Sequence, residues 1–572
     1  MDKIIYGGDT ETLEGEPLSM QFYSEDIACN DMFFCNAGNA ASKFFAWLEK
    51  RKKNCQHVIY VHNLSFDLVE FLWGHHAKLV TSTGEYDFKV GKYHVRGVYG
   101  TPTFCKITNG HSLSVIIVDS FSYFRESLAK AAERVCPDLP KLTRPKGLGT
   151  TKYTAKDTDF CAYAMRDSVV TYHLGRAVEK MHQQYDLSQC VSVADMASRI
   201  FRKMLSYTIQ QPGRDVIEAA LLSYHGGKNN VTVPAAWYTG VTSLDISSAY
   251  PAAMVELPAF SNEKLYKRYK GTSKTKEVPP HGVYCVSGRV ADCDWPVLFS
   301  HGFKPLGGVI DRVWVQGHEV NEALRCGELK LSTINGHLYD AERDNQASAL
   351  RQFVDVFYAL KEAEKDKVMR YMYKLILNSI SGKFIQTRKS NAVMYTDIDA
   401  ELTVTASDLV AGGMFHPFIA SDITAHTRAR IHQLEHKYKA IHTATDGIMT
   451  QAKGAKGVGS GLGSVTVEAR DATLLLLRNK CYVLYTAPDL NPVKKLRTTF
   501  PSFAFKDKHV RKYALHGFQG TVKDLEKLVS ANKRAYKVNR PHRLKEALKR
   551  GLTPNQFTKR AYTLKVGPLK VY

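Results

Sequence analysis

A chain of 572 residues, 44% apolar and 23% charged, is long enough for several domains with sizeable cores. Its 78 Lys and Arg against 56 Asp and Glu leave a charge of +22, which bears on partners rather than on fold and fits a polyanion such as nucleic acid. Eleven cysteines with no C-x-x-C pair argue against a disulfide framework or a zinc ribbon, and the lack of a long apolar run argues against a secretory signal, a membrane span and a membrane partner, so a cytoplasmic protein is expected.

In chain order, strand-like runs (KIIYGG, HVIYVHN, LSVIIVD) alternate with helical ones (ASKFFAWLEKRKK, TDFCAYAMRDSVVTYHLGRAVEKMHQQY), an α/β pattern. A second region opens near VADMASRIFRKML. RYKGTSKTKEVPPHG reads as an exposed loop within an insertion, and residues 347–380 read as two consecutive helices. AIHTATDGIMT is a short strand with Asp446 at its tip, followed by the flexible segment 452–463. The last 42 residues, 531–572, hold 12 Lys or Arg and one acidic residue, Glu546, and PHRLKEALKRG reads as a short helix ended by Gly551. Such a stretch can neutralise phosphates along a nucleic-acid backbone.

Two sets of residues carry chemistry. In GGDTET, Asp9 and Glu11 stand at i and i+2, on one face of a strand, where they repel each other unless a cation lies between them. YVHNLSFD supplies Asp67, with His62, Asn63 and Phe66 before it. YAMRD places Tyr163 and Asp167 at i and i+4 on one helix face. Four carboxylates can hold two divalent ions about 3.5–4 Å apart, the arrangement used to cleave phosphodiesters; oxygen ligands suit magnesium or manganese. Further on, SLDISSAYP carries Asp245 and Tyr250, KLILNSISGKF carries Lys374 and Asn378 on one helix face, and HTATDG carries Asp446.

The series D-x-E, N-x-x-F-D and Y-x-x-x-D resembles the motifs of a DEDDy-type 3′–5′ proofreading exonuclease. That resemblance makes Asp9, Glu11, Asp67 and Asp167 metal ligands, makes Tyr163 the residue that positions the water, and gives Thr12, His62, Asn63 and Phe66 to a single-stranded 3′ end. Lys146 of TRPKGLG resembles the family's catalytic lysine. The later series D-x-x-S-x-Y-P, K-x-x-x-N-S-x-x-G and T-D resembles motifs A, B and C of family B DNA polymerases, and SYHGG resembles the Y-x-G-G signature linking the two halves. Asp245 and Asp446 are then metal ligands, Tyr250, Lys361, Lys374 and Asn378 meet the incoming deoxynucleoside triphosphate, and Tyr224, Gly226, Gly227, Lys480 and Tyr482 contact DNA.

The chain's compactness and the long gaps between motifs look like the protein-primed branch of small phages, adenoviruses and linear plasmids, and Ser127–Leu128 resembles that branch's S-L motif. The resemblance implies an α/β and α+β multidomain fold: an RNase H-like exonuclease domain over 1–185, then a right-hand polymerase. Within the polymerase, the palm covers 186–258 and 414–525, terminal-protein insertions cover 259–346 and 388–413, fingers cover 347–387, and a basic thumb covers 526–572. It implies a monomer working on primer-template and single-stranded DNA in a host cytoplasm, with two magnesium ions per site, manganese able to substitute, and a terminal protein as primer. Three departures stand out: Ala444 replaces the first Asp of motif C, His442 its Tyr, and Ser381 the Tyr of motif B. They leave open a conventionally primed enzyme, or a nuclease with an impaired polymerase half.

Overall fold

The computed structural model describes residues 3–79, 84–300, 304–387 and 411–486, with the strands Val510–Leu515, Ala535–Arg540, Arg560–Lys565 and Lys570–Val571. Nearly all of the insertion read over 388–413, the helix read in PHRLKEALKRG and most of the basic segment 526–572 lie outside the described residues.

The first sheet has eight strands, in the order Cys29–Phe34, Glu16–Ser24, Lys3–Leu13, Cys55–Val61, Leu113–Asp119, Phe104–Thr108, Tyr93–Val98 and Glu85–Val90. Lys3–Leu13, Cys55–Val61 and Leu113–Asp119 run parallel. Their apolar runs are continuous because both faces are covered. Ile5, Val58, Tyr60, Ile116 and Val118 share a core with the long helix Thr158–Gln184, and the alternate residues Ile4, Tyr6, Ile59, Val115 and Ile117 share one with helices Ala40–Glu49 and Leu64–Phe71. On the second face Phe22 stacks on Trp47 at 3.8 Å. On the first, the long helix passes so close that a Cβ on Gly7 would stand 1.9 Å from the carbonyl oxygen of Ser168.

The second sheet is built on Ala236–Ile246. One side carries Val465–Arg478, Cys481–Tyr485 and Val510–Leu515; the other carries Gly447–Thr450, His442–Thr445 and Lys228–Val231, and Lys570–Val571 pairs with Ala236–Trp237. The sheet curls. The side-chain amide of Asn479, in the turn after Val465–Arg478, donates to the carbonyl of Asn229 at 3.0 Å, and the rings of His442 and Tyr482 meet edge-on at 4.8 Å.

A four-stranded antiparallel sheet, in the order Tyr266–Lys270, Leu329–Tyr339, Gly282–Val290 and Gly308–Gln316, occupies the segment read as the first insertion. The segment read as a loop there starts as the strand Tyr266–Lys270, and Val278 within it is buried. The two helices read over 347–380 are Ala349–Ala363 and Lys367–Ser379; Ser348 and Asp366 cap them, accepting from the backbone N–H of Arg351 and Val368 at 3.4 and 2.8 Å.

Helix Pro417–Tyr438 is buried nearly all round although much of its surface is polar. Its buried charged side chains each reach a different neighbour, while Ser421, Thr424 and Thr427 turn back to carbonyls of the helix itself. Asp422 accepts from His281 and His318 at 2.8 and 3.0 Å. Arg428, 0% exposed, pairs with Glu319 at 2.8 and 3.0 Å and donates to the carbonyls of His225 and Gly226. Glu435 accepts from Lys228 and from the Thr443 hydroxyl at 2.5 and 2.6 Å. Removing one member of such a pair strands a buried charge, at a cost of about 3–5 kcal/mol. The helix thereby fixes the four-stranded sheet, the 225–228 segment and the strand before Asp446 against one another.

Two candidate active sites

The first site lies at the end of the parallel strands. Asp9 and Glu11 project from Lys3–Leu13, whose pairing is irregular after Glu11, where Thr12 follows. Asp67 is in the first turn of helix Leu64–Phe71, and Asp167 and Tyr163 share a face of Thr158–Gln184. Burial, then the charges of Asp67, Asp167 and Glu11, hold Asp9 well above the usual carboxylate range. Burial and Asp167 push Glu11 up to about 7. Asp67 is pushed up to about 8 by burial, although it accepts the Thr10 hydroxyl at 2.8 Å. Asp167 is raised by burial, and its Oδ1 is buried without a hydrogen-bond partner. Repelling carboxylates with an orphaned oxygen make a donor set suited to hard divalent cations.

The lysine at these carboxylates is Lys141, five residues before the Lys146 singled out in the sequence. Its Nζ lies 2.6 Å from Asp167 Oδ2 and 5.8 Å from the centre of the Tyr163 ring. Lys146 is exposed, and its carbonyl accepts the Tyr153 hydroxyl at 2.6 Å. Asn63 is exposed at φ +68, its N–H bound to buried Asp119 at 2.9 Å, and Phe66 is half-buried beside it. His62 differs from its sequence reading. Its ring nitrogens bond to the Ser120 hydroxyl and the Glu126 carbonyl at 2.9 and 3.0 Å, which leaves only the ring face for a strand. Ser127 begins helix Leu128–Val135, and Leu128 is buried in the core.

These shifts have a thermodynamic consequence. With Glu11 at about 7 and Asp67 at about 8, these two carboxyls hold more protons in the folded chain than in the unfolded one from about pH 4 upward, so their contribution to stability falls as pH rises through that window. A cation that binds the ionised carboxylates offsets the loss. Melting temperature measured at pH 6 and pH 8, with and without magnesium, is expected to show the larger magnesium stabilisation at pH 8. An equal effect at both values contradicts this account.

The second site lies on the curled sheet. Asp245 sits near the end of Ala236–Ile246, opposite Gly447, and the N–H of Ile246 donates to the carbonyl of Asp446 at 2.8 Å. A Cβ on Gly447 would lie 3.0 Å from Asp245 Oδ1. Burial, then Asp446 and Glu468, push Asp245 up to about 7, while Lys512 and Lys374 oppose the rise. Burial raises Asp446 as well, within reach of the same lysines and Glu468.

Glu468 was missed in the sequence. The strand pairing slips between Ser243 and Leu244, which face Ala469 and Val467, so Glu468 is the extra residue of a bulge. Its Oε2 accepts from the Ser243 hydroxyl at 3.1 Å and from Lys512 at 2.8 Å. The alanine at 444, paired with Asn229 and Gly447, therefore leaves three carboxylates in the site rather than two. Here too, mutual repulsion suits the donor set to divalent cations.

Tyr250 lies on helix Ala249–Met254, and burial pushes its hydroxyl up to about 12. Gly227 packs between it and the turn: a Cβ there would come 2.5 Å from Thr445 Cγ2 and 2.9 Å from the Tyr250 oxygen. The Gly226 carbonyl accepts from Arg428 at 2.9 Å, and Tyr224 ends helix Arg214–Ser223. Lys374 and Asn378 are exposed on one face of Lys367–Ser379, with the Lys374 charge felt by both aspartates. Lys361 is turned along its own helix, 2.9 Å from Glu362 and 4.2 Å from the Tyr358 ring. Lys480 is exposed at φ +53 in the turn before Cys481–Tyr485; Tyr482 is buried within reach of the site's charges. His442 is buried, its pKa pulled down to about 4 by burial, and Ser381 begins a short helical turn after Lys367–Ser379.

Residues 149–413 match the family described as DNA polymerase type B, organellar and viral. The matched segment is less than half of the chain. The chain as a whole is similar in fold to phi29 DNA polymerase. The complex of that enzyme with primer-template DNA superposes at a TM-score of 0.66 and 16% identity, over 99% of this chain and 100% of that one. The ternary complex gives 0.63 and 16% over 100% of both chains, and the complex with single-stranded DNA gives 0.61 and 17% over 84% and 87%. No curated protein matches the chain.

Proposed function

We propose that the chain is a replicative DNA-directed DNA polymerase, primed by a terminal protein and equipped with a 3′–5′ exonuclease. The observation that carries this reading is the convergence of Asp245, Asp446 and Glu468 within charge range of one another and of Lys374, with Tyr250 in charge range of Asp446. On this reading the curled sheet is the palm, the helices Ala349–Ala363 and Lys367–Ser379 are the fingers, and the four-stranded sheet is the terminal-protein insertion. The first sheet is the RNase H-like exonuclease, and the basic carboxy-terminal strands belong to the thumb.

Magnesium, two ions per site with manganese able to substitute, supplies charge neutralisation and an activated attacking oxygen. Asp245, Asp446 and Glu468 would hold it at one site, and Asp9, Glu11, Asp67 and Asp167 at the other. Lys374 draws the triphosphate as a point charge, and the Tyr250 ring floors the sugar pocket against a 2′-hydroxyl. Lys480 grips the primer end. At the exonuclease site the Tyr163 hydroxyl orients a water, Phe66 stacks on a base, and Lys141 neutralises charge beside Asp167. The phi29 enzyme of the same fold is solved with primer-template DNA, incoming nucleotides and single-stranded DNA, which supports these partners.

Ala444 favours a second reading, a nuclease whose polymerase half is impaired; Glu468 weighs against it. Incubation with a primed single-stranded template, labelled nucleotides and magnesium decides between them. Template-directed extension is expected. Degradation without incorporation, in magnesium and in manganese, establishes the second reading.

A further inference from the structure

Helix Pro417–Tyr438 carries a group of side chains that neither site uses. His432 is fully buried, and its two ring nitrogens have opposite surroundings. Nδ1 lies 2.6 Å from Oε1 of Glu322, a carboxylate that Arg325 and Gln433 also hold, so Nδ1 carries the proton and donates it. Nε2 has no hydrogen-bond partner. Its lone pair faces Oε2 of Glu328 at 3.9 Å, and Cys326 completes a trio whose ligand atoms all lie within 4.8 Å of one another.

Glu328 is itself oriented, accepting from the backbone N–H of Val297 and Leu298 at 3.0 and 3.3 Å. Half-buried Cys293, a few residues before Val297, lies within charge range of both Glu328 and Cys326. The Cys326 sulfur donates to the Ala323 carbonyl at 3.6 Å and is met by the backbone N–H of Glu328. A carboxylate and a bare imidazole lone pair facing each other without a proton between them repel, unless a cation lies there.

We propose that Cys326 Sγ, Glu328 Oε2 and His432 Nε2, with Cys293 Sγ as the fourth donor, form a structural zinc site. Sulfur and imidazole donors select zinc over the hard cations of the two active sites. Zn–S and Zn–N bonds of about 2.3 and 2.0–2.1 Å set donor separations of roughly 3.3–3.8 Å. The 3.9 Å between His432 and Glu328 is already close to that, and Cys326 closes in by about 1 Å, while Cys293, outside that 4.8 Å group, has farther to move. Glu322 has the outer role such sites need, fixing the imidazole tautomer and orientation. No C-x-x-C announces the site, because its donors come from separate elements: the loop before Val297, the turn between helix Gly317–Arg325 and strand Leu329–Tyr339, and helix Pro417–Tyr438. The metal would staple the four-stranded sheet to that helix.

The test uses the full chain, dialysed against magnesium buffer, with metal content measured and cobalt then exchanged in. One equivalent of zinc is expected to remain, and the cobalt protein should absorb by sulfur-to-cobalt charge transfer in the near ultraviolet. Cys326→Ser, at a solvent-exposed position, should lose the charge-transfer band or most of it and weaken zinc retention at least about tenfold, and Cys293→Ser should act likewise; Cys161→Ser, outside the cluster, should change neither. Absence of both retained zinc and the charge-transfer band overturns the proposal. So does an unchanged band in Cys326→Ser with circular dichroism intact.

Discussion

Asp446→Ala abolishes nucleotide incorporation, by about 10⁴-fold or more, while the release of nucleotides from a single-stranded 3′ end continues at its original rate. The size follows from losing one of the carboxylates that hold the transition-state charge, worth several kcal/mol in a site where each 1.36 kcal/mol is tenfold in rate. The selectivity follows from the backbone. The turn is held by main-chain bonds, Ile246 N–H to the Asp446 carbonyl and Asp446 N–H to the Ala444 carbonyl, both at 2.8 Å, so the side chain leaves without moving the strand. The Asp446 charge is also one cause of the raised pKa of Asp245, so its removal relieves repulsion. The variant should therefore melt no lower than the parent at pH 8. Incorporation surviving within tenfold of the parent removes Asp446 from catalysis, and a melting temperature lowered by several degrees shows that the turn depends on the side chain.

The second large effect is its mirror image. Asp9→Ala should lower degradation of single-stranded DNA by about 10³-fold or more and leave extension of a primed template unchanged. Asp9 is buried and repelled by Asp67, Asp167 and Glu11, so the variant should also be more stable than the parent in chelator above pH 7. Gel analysis of labelled primers with and without nucleotides reads both activities in one experiment. Degradation persisting at the parent rate means that the carboxylate group is not the nuclease.

The groupings legible in the sequence were those set by local spacing. Asp9 and Glu11 share a strand face, Tyr163 and Asp167 a helix face, and Lys374 and Asn378 another. The order of these motifs carried the fold class. What was not legible depended on long-range geometry. Glu468 reaches the aspartates through a bulge, which no alternation pattern announces. Lys141 meets Asp167 across a loop, so the local resemblance of TRPKGLG selected Lys146 instead. His62 looked available for a strand because nothing local reveals that Ser120 and Glu126 take both its nitrogens. The polar residues of Pro417–Tyr438 look like a solvated face; only their partners, 100 or more positions away, make it the buried spine.

That spine constrains how such a chain can diverge. Glu319 and Arg428 are neutral together and costly apart, and the same holds for Lys228 and Glu435. A single base change at either partner passes through a stranded charge before any compensating change arrives. Joint replacement of both partners by apolar residues of similar volume should therefore be tolerated far better than either single replacement along the axis that joins the four-stranded sheet to the turn at Asp446.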